Sequence, residues 1–156
     1  MVGDMMPDSS VIEFIKNHHV FTLATCSGSV PYCSSMFYTL LEKEFCLVFT
    51  SGRDTRHIME ALANPIVAGS IVLETETVGK IQGLQFCGKM MEVHGKLKTR
   101  AIAAYLKRFP YAILSGTPVW AVEITFTKFT DNRLGFGKKL IWEKQSMIKN
   151  LSSEYE

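Results

Sequence analysis

The sequence lacks the patterns that mark membrane, secreted disulfide-rich and zinc-ribbon proteins. No apolar run approaches the roughly 20 residues that are needed to cross a bilayer. The first ten residues are polar and acidic rather than a basic stretch that leads into an apolar one. The four cysteines form no CxxC pair. We therefore expect a cytoplasmic protein with reduced thiols and no membrane partner.

The common catalytic and nucleotide-binding motifs are also missing. The sequence has no Walker loop, no GxGxxG and no nucleophile elbow. Its four histidines, His18, His19, His57 and His94, lack HxxxH or HxH spacing and an acidic cluster, so we expect no metal site. A net charge of +2, from 17 basic and 15 acidic side chains, is too small to indicate a nucleic-acid partner by itself.

The composition favours one globular domain with a sizeable core. The chain has 156 residues, of which 47% are hydrophobic and 21% charged. Runs rich in β-branched and aromatic residues predict six strands, at 20–25, 30–40, 45–50, 66–73, 80–94 and 119–128. Helical spacing of apolar residues predicts helices at about 10–19, 56–63 and 99–108. Strands in near-continuous succession favour a closed or partly closed antiparallel barrel.

Several local features refine this prediction. Ser10 and Glu13 fit a capping box for the first helix. The run 80–94 would span about 50 Å at roughly 3.3 Å per residue, so we expect it to bend at Gly83 and Gly88.

The last predicted strand alternates between apolar and other side chains. This pattern predicts one face that carries Trp120, Val122, Ile124 and Phe126. Residues 131–139 are typical of a plain turn followed by basic surface.

The segment 50–57 is the strongest candidate for a binding site. A strand ends in two hydroxyl side chains, Thr50 and Ser51, and after a glycine the predicted helix begins with Arg56 and His57. The N–H groups and positive dipole end of a helix favour an anion, hydroxyls donate hydrogen bonds, and a guanidinium binds an anion through two donors. The segment fits a phosphate site, and it fits an ordinary helix cap with a solvated arginine equally well.

Polar residues within predicted strands mark two further candidates. Ser34 and Ser35 leave the backbone approachable beside aromatic residues that could flank a flat ring. A half-exposed barrel strand explains the same pattern without a ligand. Gln85 carries an amide suited to the edge of a heterocycle, although a surface glutamine needs no ligand.

Short motifs spread along nearly the whole chain carry a resemblance to a known family. They are His19-Val20, residues 34–38, residues 50–57 with Asn64-Pro65, residues 83–86 with Gly88, Arg108-Phe109-Pro110, Pro118-Val119-Trp120, and above all residues 128–132 with 134–139. Together they resemble the FMN-binding split-barrel superfamily that includes pyridoxamine 5'-phosphate oxidase, and more narrowly its small YhbP-like branch.

The resemblance implies a fold, an assembly and a cofactor. The fold is mainly β (α+β), a six- to seven-stranded antiparallel split barrel with two or three flanking helices. Residues 1–156 form a single FMN-binding domain, with 146–156 as a flexible tail. The protein is a homodimer with FMN sites at the subunit interface. The implied FMN contacts are Ser34, Ser35, Met36 and Phe37 near the ring, Thr50 and Ser51 along the site, Arg56 and His57 at the phosphate, and Gln85 from another strand.

The sequence departs from the oxidase itself. It lacks an evident match to the oxidase's arginine-rich phosphate-binding strand and substrate-binding C-terminal segment, so pyridoxamine phosphate oxidation is not predicted. We expect a flavin-dependent oxidoreductase or flavin reductase-like protein that uses a small-molecule electron donor or acceptor. Two alternatives stay open. One is a haem-binding or haem-handling module with a histidine such as His94 as axial ligand, and the other is a non-enzymatic protein that binds an anionic partner.

Overall fold

The structure is a computed structural model that describes residues 6–112 and 116–145. The predicted tail, 146–156, lies outside the described residues. Within them the chain forms three helices and eight strands: α1 (Ser9–Asn17), β1 (Val20–Ser27), β2 (Val30–Phe37), β3 (Thr39–Leu41), β4 (Cys46–Thr50), α2 (Arg56–Ala63), β5 (Ile66–Val72), β6 (Gln82–Glu92), α3 (Gly95–Arg108), β7 (Val119–Asp131) and β8 (Lys139–Glu143).

The strands form one curled antiparallel sheet. Their order is β2-β1-β5-β6-β7-β4-β3, with β8 added beside β7. The first half of β7 pairs with β4 and its second half with β8, so two short strands share one side of a long one. The edge strands β2 and β3 are consecutive in the chain, and the Tyr38 N–H between them donates to the His19 carbonyl at 3.1 Å. This arrangement confirms the predicted split-barrel fold class.

Two strands were not predicted as separate elements. The predicted strand 30–40 is wrong as one unit, because β2 pairs with β1 whereas β3 pairs with β4. The change of partner occurs at the buried Tyr38, whose hydroxyl donates to the Ile15 carbonyl of α1. Residues 131–139 are more than a turn with basic surface, because β8 begins at Lys139 and pairs with β7.

A bulge in the β6-β7 pair reverses which side chains of β7 face the barrel interior. The register shifts between Cys87 and Gly88, where the predicted bend at Gly88 is confirmed and the one at Gly83 is wrong. Thr125 is the extra residue on β7. The alternation of inward and outward side chains therefore shifts by one position, so that Ile124 faces the interior before the bulge and Thr127 after it. Phe126 therefore faces outward, and its predicted place beside Ile124 is wrong.

The helices begin where local capping dictates. Helix α1 begins after Asp8, whose carboxylate accepts from the Ser10 N–H at 2.9 Å, so the predicted capping box of Ser10 and Glu13 is wrong. Helix α2 has the predicted bounds and ends before Asn64-Pro65. Helix α3 begins at Gly95, earlier than predicted. None of the helices in the described residues is long and apolar enough to cross a membrane.

The core has two parts on opposite sides of the sheet. The barrel interior is packed with aromatic residues, among them Phe21, Phe49 and Phe86, together with the apolar faces of α1 and α2. A smaller cluster lies between α3 and the outer side of β4 and β7. The outer side of β2, β1, β5 and β6 carries small and exposed side chains instead, and this surface is called the outer sheet face below.

Candidate functional site

The loop between β4 and α2 is held from both sides. The Trp120 indole N–H donates to the Ser51 carbonyl at 2.9 Å, which ties the end of β4 to the start of β7. The Thr55 N–H donates to the Gly52 carbonyl at 3.3 Å, and the Thr55 hydroxyl donates to the same carbonyl at 2.9 Å. These bonds fix the direction in which the loop enters α2.

Three side chains of this loop converge on one point. The Ser51 hydroxyl lies 2.8 Å from His57 Nε2 and 3.2 Å from the Thr55 hydroxyl, and Thr55 lies 3.2 Å from the same imidazole nitrogen. All three side chains are half-buried. We call Ser51, Thr55 and His57 the hydroxyl-imidazole cluster. The Gly52 carbonyl takes the Thr55 proton, so Thr55 accepts from its neighbours in the cluster. When His57 Nε2 carries a proton and donates within the cluster, the Ser51 hydroxyl is free to donate to an oxyanion.

The start of α2 leaves its backbone N–H groups available to an anion, whereas His57 adds little positive charge. Burial lowers the pKa of His57, and the nearby Glu60 carboxylate partly opposes that effect. Thr55 occupies the N-cap position without making a side-chain capping bond, and the first turn of α2, which is fully described, carries no acidic side chain. The first N–H groups of the helix therefore keep their capacity to bind an anion.

Two contacts hold the Arg56 side chain in place, and within the described residues its two Nη groups remain available as donors. Its Nε donates to Glu60 at 2.8 Å, and its guanidinium lies over the Tyr32 ring, 4.2 Å from the ring centroid. Glu60 also accepts from the Thr25 hydroxyl at 2.6 Å; this bond, followed by the Arg56 contact, lowers the pKa of Glu60. Within the described residues the two Nη groups of Arg56 form no hydrogen bond. Arg56 thus presents an oriented pair of N–H donors.

The formal charge around the loop is balanced. Arg53 and Arg56 are offset by Asp54 and Glu60, and His57 with its lowered pKa is mainly neutral at pH 7. The loop therefore has little bulk electrostatic attraction for an anion. Binding depends on the directed donors of Arg56, of the hydroxyl-imidazole cluster and of the helix start.

The predicted residues of β2 lie on two faces. Ser34 and Met36 face the barrel interior, where Met36 is part of the core. Ser35 and Phe37 point outward, and Phe37, 58% exposed, packs edge-on against Phe109 with 5.4 Å between ring centroids. The Ser34 hydroxyl is buried and has no hydrogen-bond partner within the described residues. An orphaned hydroxyl is unusual in a folded protein and indicates room for a polar partner.

Gln85 lies apart from the loop in a single chain. The cross-strand register aligns it with Ser70, Thr22 and Ser35 in one row across four strands. This row borders a groove of about 410 Å³ on the outer sheet face. The loop instead borders another cavity, beside α2, which Arg56 lines. The structure therefore brings Ser51 and His57 into direct contact. It places Arg56 on the neighbouring helix position, where its side chain faces Glu60 and Tyr32, and it leaves Gln85 apart from both.

Sequence reasoning missed two residues of the loop site. Thr55 joins the hydroxyl-imidazole cluster, and Tyr32 supports the guanidinium of Arg56. Thr55 had a detectable signal, because a threonine directly before a helix is a common N-cap whose hydroxyl can turn toward the loop. Tyr32 had none, because its contact joins β2 to α2 across 24 residues of sequence.

Structural comparison shows the fold. A haem-binding protein from Mycobacterium smegmatis superposes with a TM-score of 0.70 at 19% identity, over 89% of this chain and 60% of that one. An FAD-binding protein from Mesorhizobium loti gives a TM-score of 0.63 at 16% identity, over 78% and 92%. A putative pyridoxamine 5'-phosphate oxidase from Listeria innocua gives 0.61 at 15% identity, over 77% and 94%. The chain thus shares the fold of flavin-binding and haem-binding split-barrel proteins.

Sequence comparison shows the family. No family model matches the chain. A UPF0306 protein from Yersinia pseudotuberculosis serotype O:3 (strain YPIII) is 36% identical over 140 residues, which cover 88% of this chain and 95% of the relative. The alignment covers nearly the full length of both proteins, so it includes the loop and the strands described above. The chain belongs to the UPF0306 family.

Proposed function

We propose that this protein binds FMN and places the cofactor phosphate at the start of α2. The observation that carries the proposal is that the first turn of α2 holds two sets of polar groups on adjacent residues, the hydroxyl-imidazole cluster at His57 and the Nη groups of Arg56, which form no hydrogen bond within the described residues. A phosphate group offers several acceptor oxygens, which match this set of donors. The FAD-binding structural neighbour supports a flavin on this fold.

The orphaned hydroxyl of Ser34 supports the fit of a flavin. A buried hydroxyl without a partner carries a cost that a ligand acceptor would remove. Ser34 lies on β2 two residues from Tyr32, which supports Arg56, so both groups of residues border one side of the barrel. In this proposal the ring lies against the edge of β2, where Ser34 faces the barrel side and Ser35 and Phe37 face the opposite side, with Met36 in the core. Thr50, Ser51, Arg56 and His57 bind the phosphate side.

The flavin would supply the redox chemistry, and the protein would supply position and electrostatics. The proposed activity is that of a flavin-dependent oxidoreductase or flavin reductase-like protein that uses a small-molecule electron donor or acceptor. Membership of the YhbP-like branch and a cytoplasmic location are parts of the same proposal. The chain's own residues hold the cofactor: Arg56 binds through two N–H groups, and the neutral imidazole of His57 can share a proton with a phosphate oxygen.

A second copy of the chain completes the proposed site. The outer sheet face exposes Val20, Phe37 and Val72 beside small residues, and an uncovered face of this kind suits association with another sheet. Gln85 lies on this face, away from the loop, so a flavin that contacts both needs Gln85 from a partner subunit. The proposed assembly is a homodimer with cofactor sites at the interface.

The test is an FMN titration of wild type and Arg56→Ala at low salt, followed by flavin fluorescence and by sedimentation of the complex. A charge-assisted hydrogen bond is worth roughly 1.5–3 kcal/mol. Because the Arg56 side chain is 53% exposed, we expect a loss of affinity of several-fold, near the lower end of that range. We expect wild type to bind one FMN per chain in a particle of two chains.

Arg100→Ala is the matched control. Arg100 is also an exposed arginine paired with a glutamate, Glu44, but it lies on α3. Its removal changes the net charge equally and should leave FMN affinity unchanged. Equal FMN affinity in wild type and Arg56→Ala would contradict the phosphate assignment. A monomeric, fully loaded protein would contradict the shared site.

Haem binding is the second candidate, favoured by the haem-binding structural neighbour. His94 offers an exposed imidazole at the start of α3, 3.9 Å from the Glu92 carboxylate. Its neighbours in sequence, Glu92 and Lys96, are charged and give a haem little apolar cover, which ranks this candidate below FMN. An intense Soret band that disappears in His94→Ala would reverse the ranking.

A further inference from the structure

A second cleft lies at the other end of β7 and shares no residue with the loop or the outer sheet face. It has a volume of about 380 Å³ and is lined by α1, the end of β7 and the first residue of β6. Clefts of this size hold small molecules. The segment that contributes most to the family resemblance, residues 128–139, supplies Phe129, Asp131 and Arg133 to its wall. The proposed flavin site uses none of these three residues.

The positive charge in this cleft is already paired. Asp131 is 3% exposed, and its carboxylate accepts from Arg133 Nε at 3.0 Å and from Nη2 at 2.8 Å. Arg133 Nη2 also donates to the Gln82 side-chain carbonyl at 3.1 Å. The hydrogen bonds from Arg133 lower the pKa of Asp131, so the pair stays ionised at neutral pH. The guanidinium therefore neutralises the buried carboxylate and offers an anion little net charge.

The charged side chains of the cleft leave it with one net negative charge. Within residues 6–112 and 116–145 Glu13 forms no direct ion pair, and it interacts electrostatically with Arg133, whose charge Asp131 already balances. The Asn17 and Gln82 amides add both donors and acceptors. His18 Nδ1 lies 2.8 Å from the Phe14 carbonyl. Since a carbonyl only accepts, Nδ1 carries the proton, and Nε2 of the neutral ring is an acceptor. A donor-rich cation fits this arrangement.

Apolar side chains form the other wall. The rings of Phe14 and Phe129 lie 4.9 Å apart, and the imidazole of His18 packs on Phe14 with 4.1 Å between centroids. Leu73 adds an aliphatic contact. Phe14 and Phe129 are 4% and 1% exposed, so the half-buried Leu73 gives most of the apolar surface that a ligand can reach. The cleft thus combines a small apolar surface with a polar, negatively charged rim.

We propose that this cleft binds a small organic ammonium ion with an apolar body. The ammonium group donates to the Glu13 carboxylate and to His18 Nε2, and the apolar body packs on Phe14, Phe129 and Leu73. A primary ammonium has three donors and no acceptor, so two N–H groups can donate to Glu13 and His18 Nε2 and the third to water. The proposal is independent of flavin binding, because the two sites have no residue in common.

The test uses two probes that share a phenylethyl body and differ in charge, 2-phenylethylammonium and 3-phenylpropionate. Each is titrated into the full-length protein at pH 8 and followed by isothermal calorimetry and by NMR. We expect saturable binding of the ammonium ion and at least tenfold weaker binding of the carboxylate. Glu13→Gln should weaken ammonium binding by about threefold or more, as for a partly exposed ion pair.

Two controls keep the outcome decisive. Glu42→Gln removes one exposed carboxylate outside the cleft and should leave ammonium affinity unchanged, which separates the effect of Glu13 from that of net charge. Arg56→Ala should also leave it unchanged. The thermal midpoint of each variant verifies folding. Equal affinity for the two probes, equal affinity in wild type and Glu13→Gln, or no saturable binding up to about 10 mM would each overturn the proposal.

Discussion

Helices α1 and α2 lie near opposite ends of β7, and polar side chains surround both. Near the start of β7, Trp120 donates to the loop before α2. Near its end, Phe129 packs against Phe14 of α1. The nine residue steps from Trp120 to Phe129 correspond to about 30 Å of strand. Within the described residues the α2 end presents the unpaired Nη groups of Arg56, whereas the α1 end carries a net negative charge from Glu13 and Asp131 against Arg133.

This contrast arises from how each arginine is paired, since both ends contain an arginine, a carboxylate and a histidine. Arg133 binds the buried Asp131 through Nε and Nη2 and also contacts Gln82. Arg56 binds Glu60 through Nε alone and leaves both Nη groups free within the described residues. The residue types at a site therefore predict its ligand poorly. The donors and acceptors that remain after internal pairing predict it better.

The largest expected effect is that of Phe129→Ala. Phe129 is 1% exposed, and removing a buried ring of this size typically costs about 3–5 kcal/mol of unfolding free energy. We expect a large drop in the urea midpoint and loss of phenylethylammonium binding. The folded fraction should still bind FMN. If the folded fraction lost FMN binding and phenylethylammonium binding equally, the two ends of β7 would be coupled. Phe129→Leu provides a milder variant for the same measurement.

The next effect is that of Trp120→Phe, which tests the α2 end. The substitution keeps an aromatic ring in the core and removes the N–H that donates to the Ser51 carbonyl. Leaving a half-buried carbonyl without a partner costs about 1–3 kcal/mol. We expect weaker FMN binding, because Ser51 loses its support, and unchanged phenylethylammonium binding. FMN affinity equal to that of wild type would show that the loop holds its position without Trp120.

Local chemistry made the α2 end predictable from sequence. Two hydroxyls at the end of a strand, a glycine, and a helix that stops before Asn64-Pro65 are signals contained within sixteen consecutive residues. The bounds of α2 and the meeting of Ser51 with His57 follow from that short segment. Tyr32 escaped prediction because its contact with Arg56 joins two elements that are distant in sequence.

The α1 end depends on long-range pairing and could not be predicted in the same way. The sequence pattern of β7 places Phe126 inside, and only the pairing with β6 reveals that Thr125 bulges and turns Phe129 and Asp131 inward. The 3.1 Å contact of Arg133 with Gln82 joins residues 51 positions apart. Strand β8, which follows this segment, spans only five residues, and its strand structure depends on pairing with β7.

The smallest expected effect concerns pH at the α2 end. Because burial lowers the pKa of His57, the folded protein binds fewer protons at this residue than the unfolded chain does. The contribution of neutral His57 to the free energy of unfolding is thus present above the ordinary histidine pKa of about 6.5 and is lost as the pH falls through the lowered value. We expect the urea midpoint to fall less between pH 7.5 and pH 5.5 in His57→Gln than in wild type. His94→Gln, which removes an exposed histidine, should behave like wild type. Identical pH dependence in wild type and His57→Gln would show that the imidazole is not held neutral by its surroundings, and would weaken the case for a pre-formed donor site at this end of the barrel.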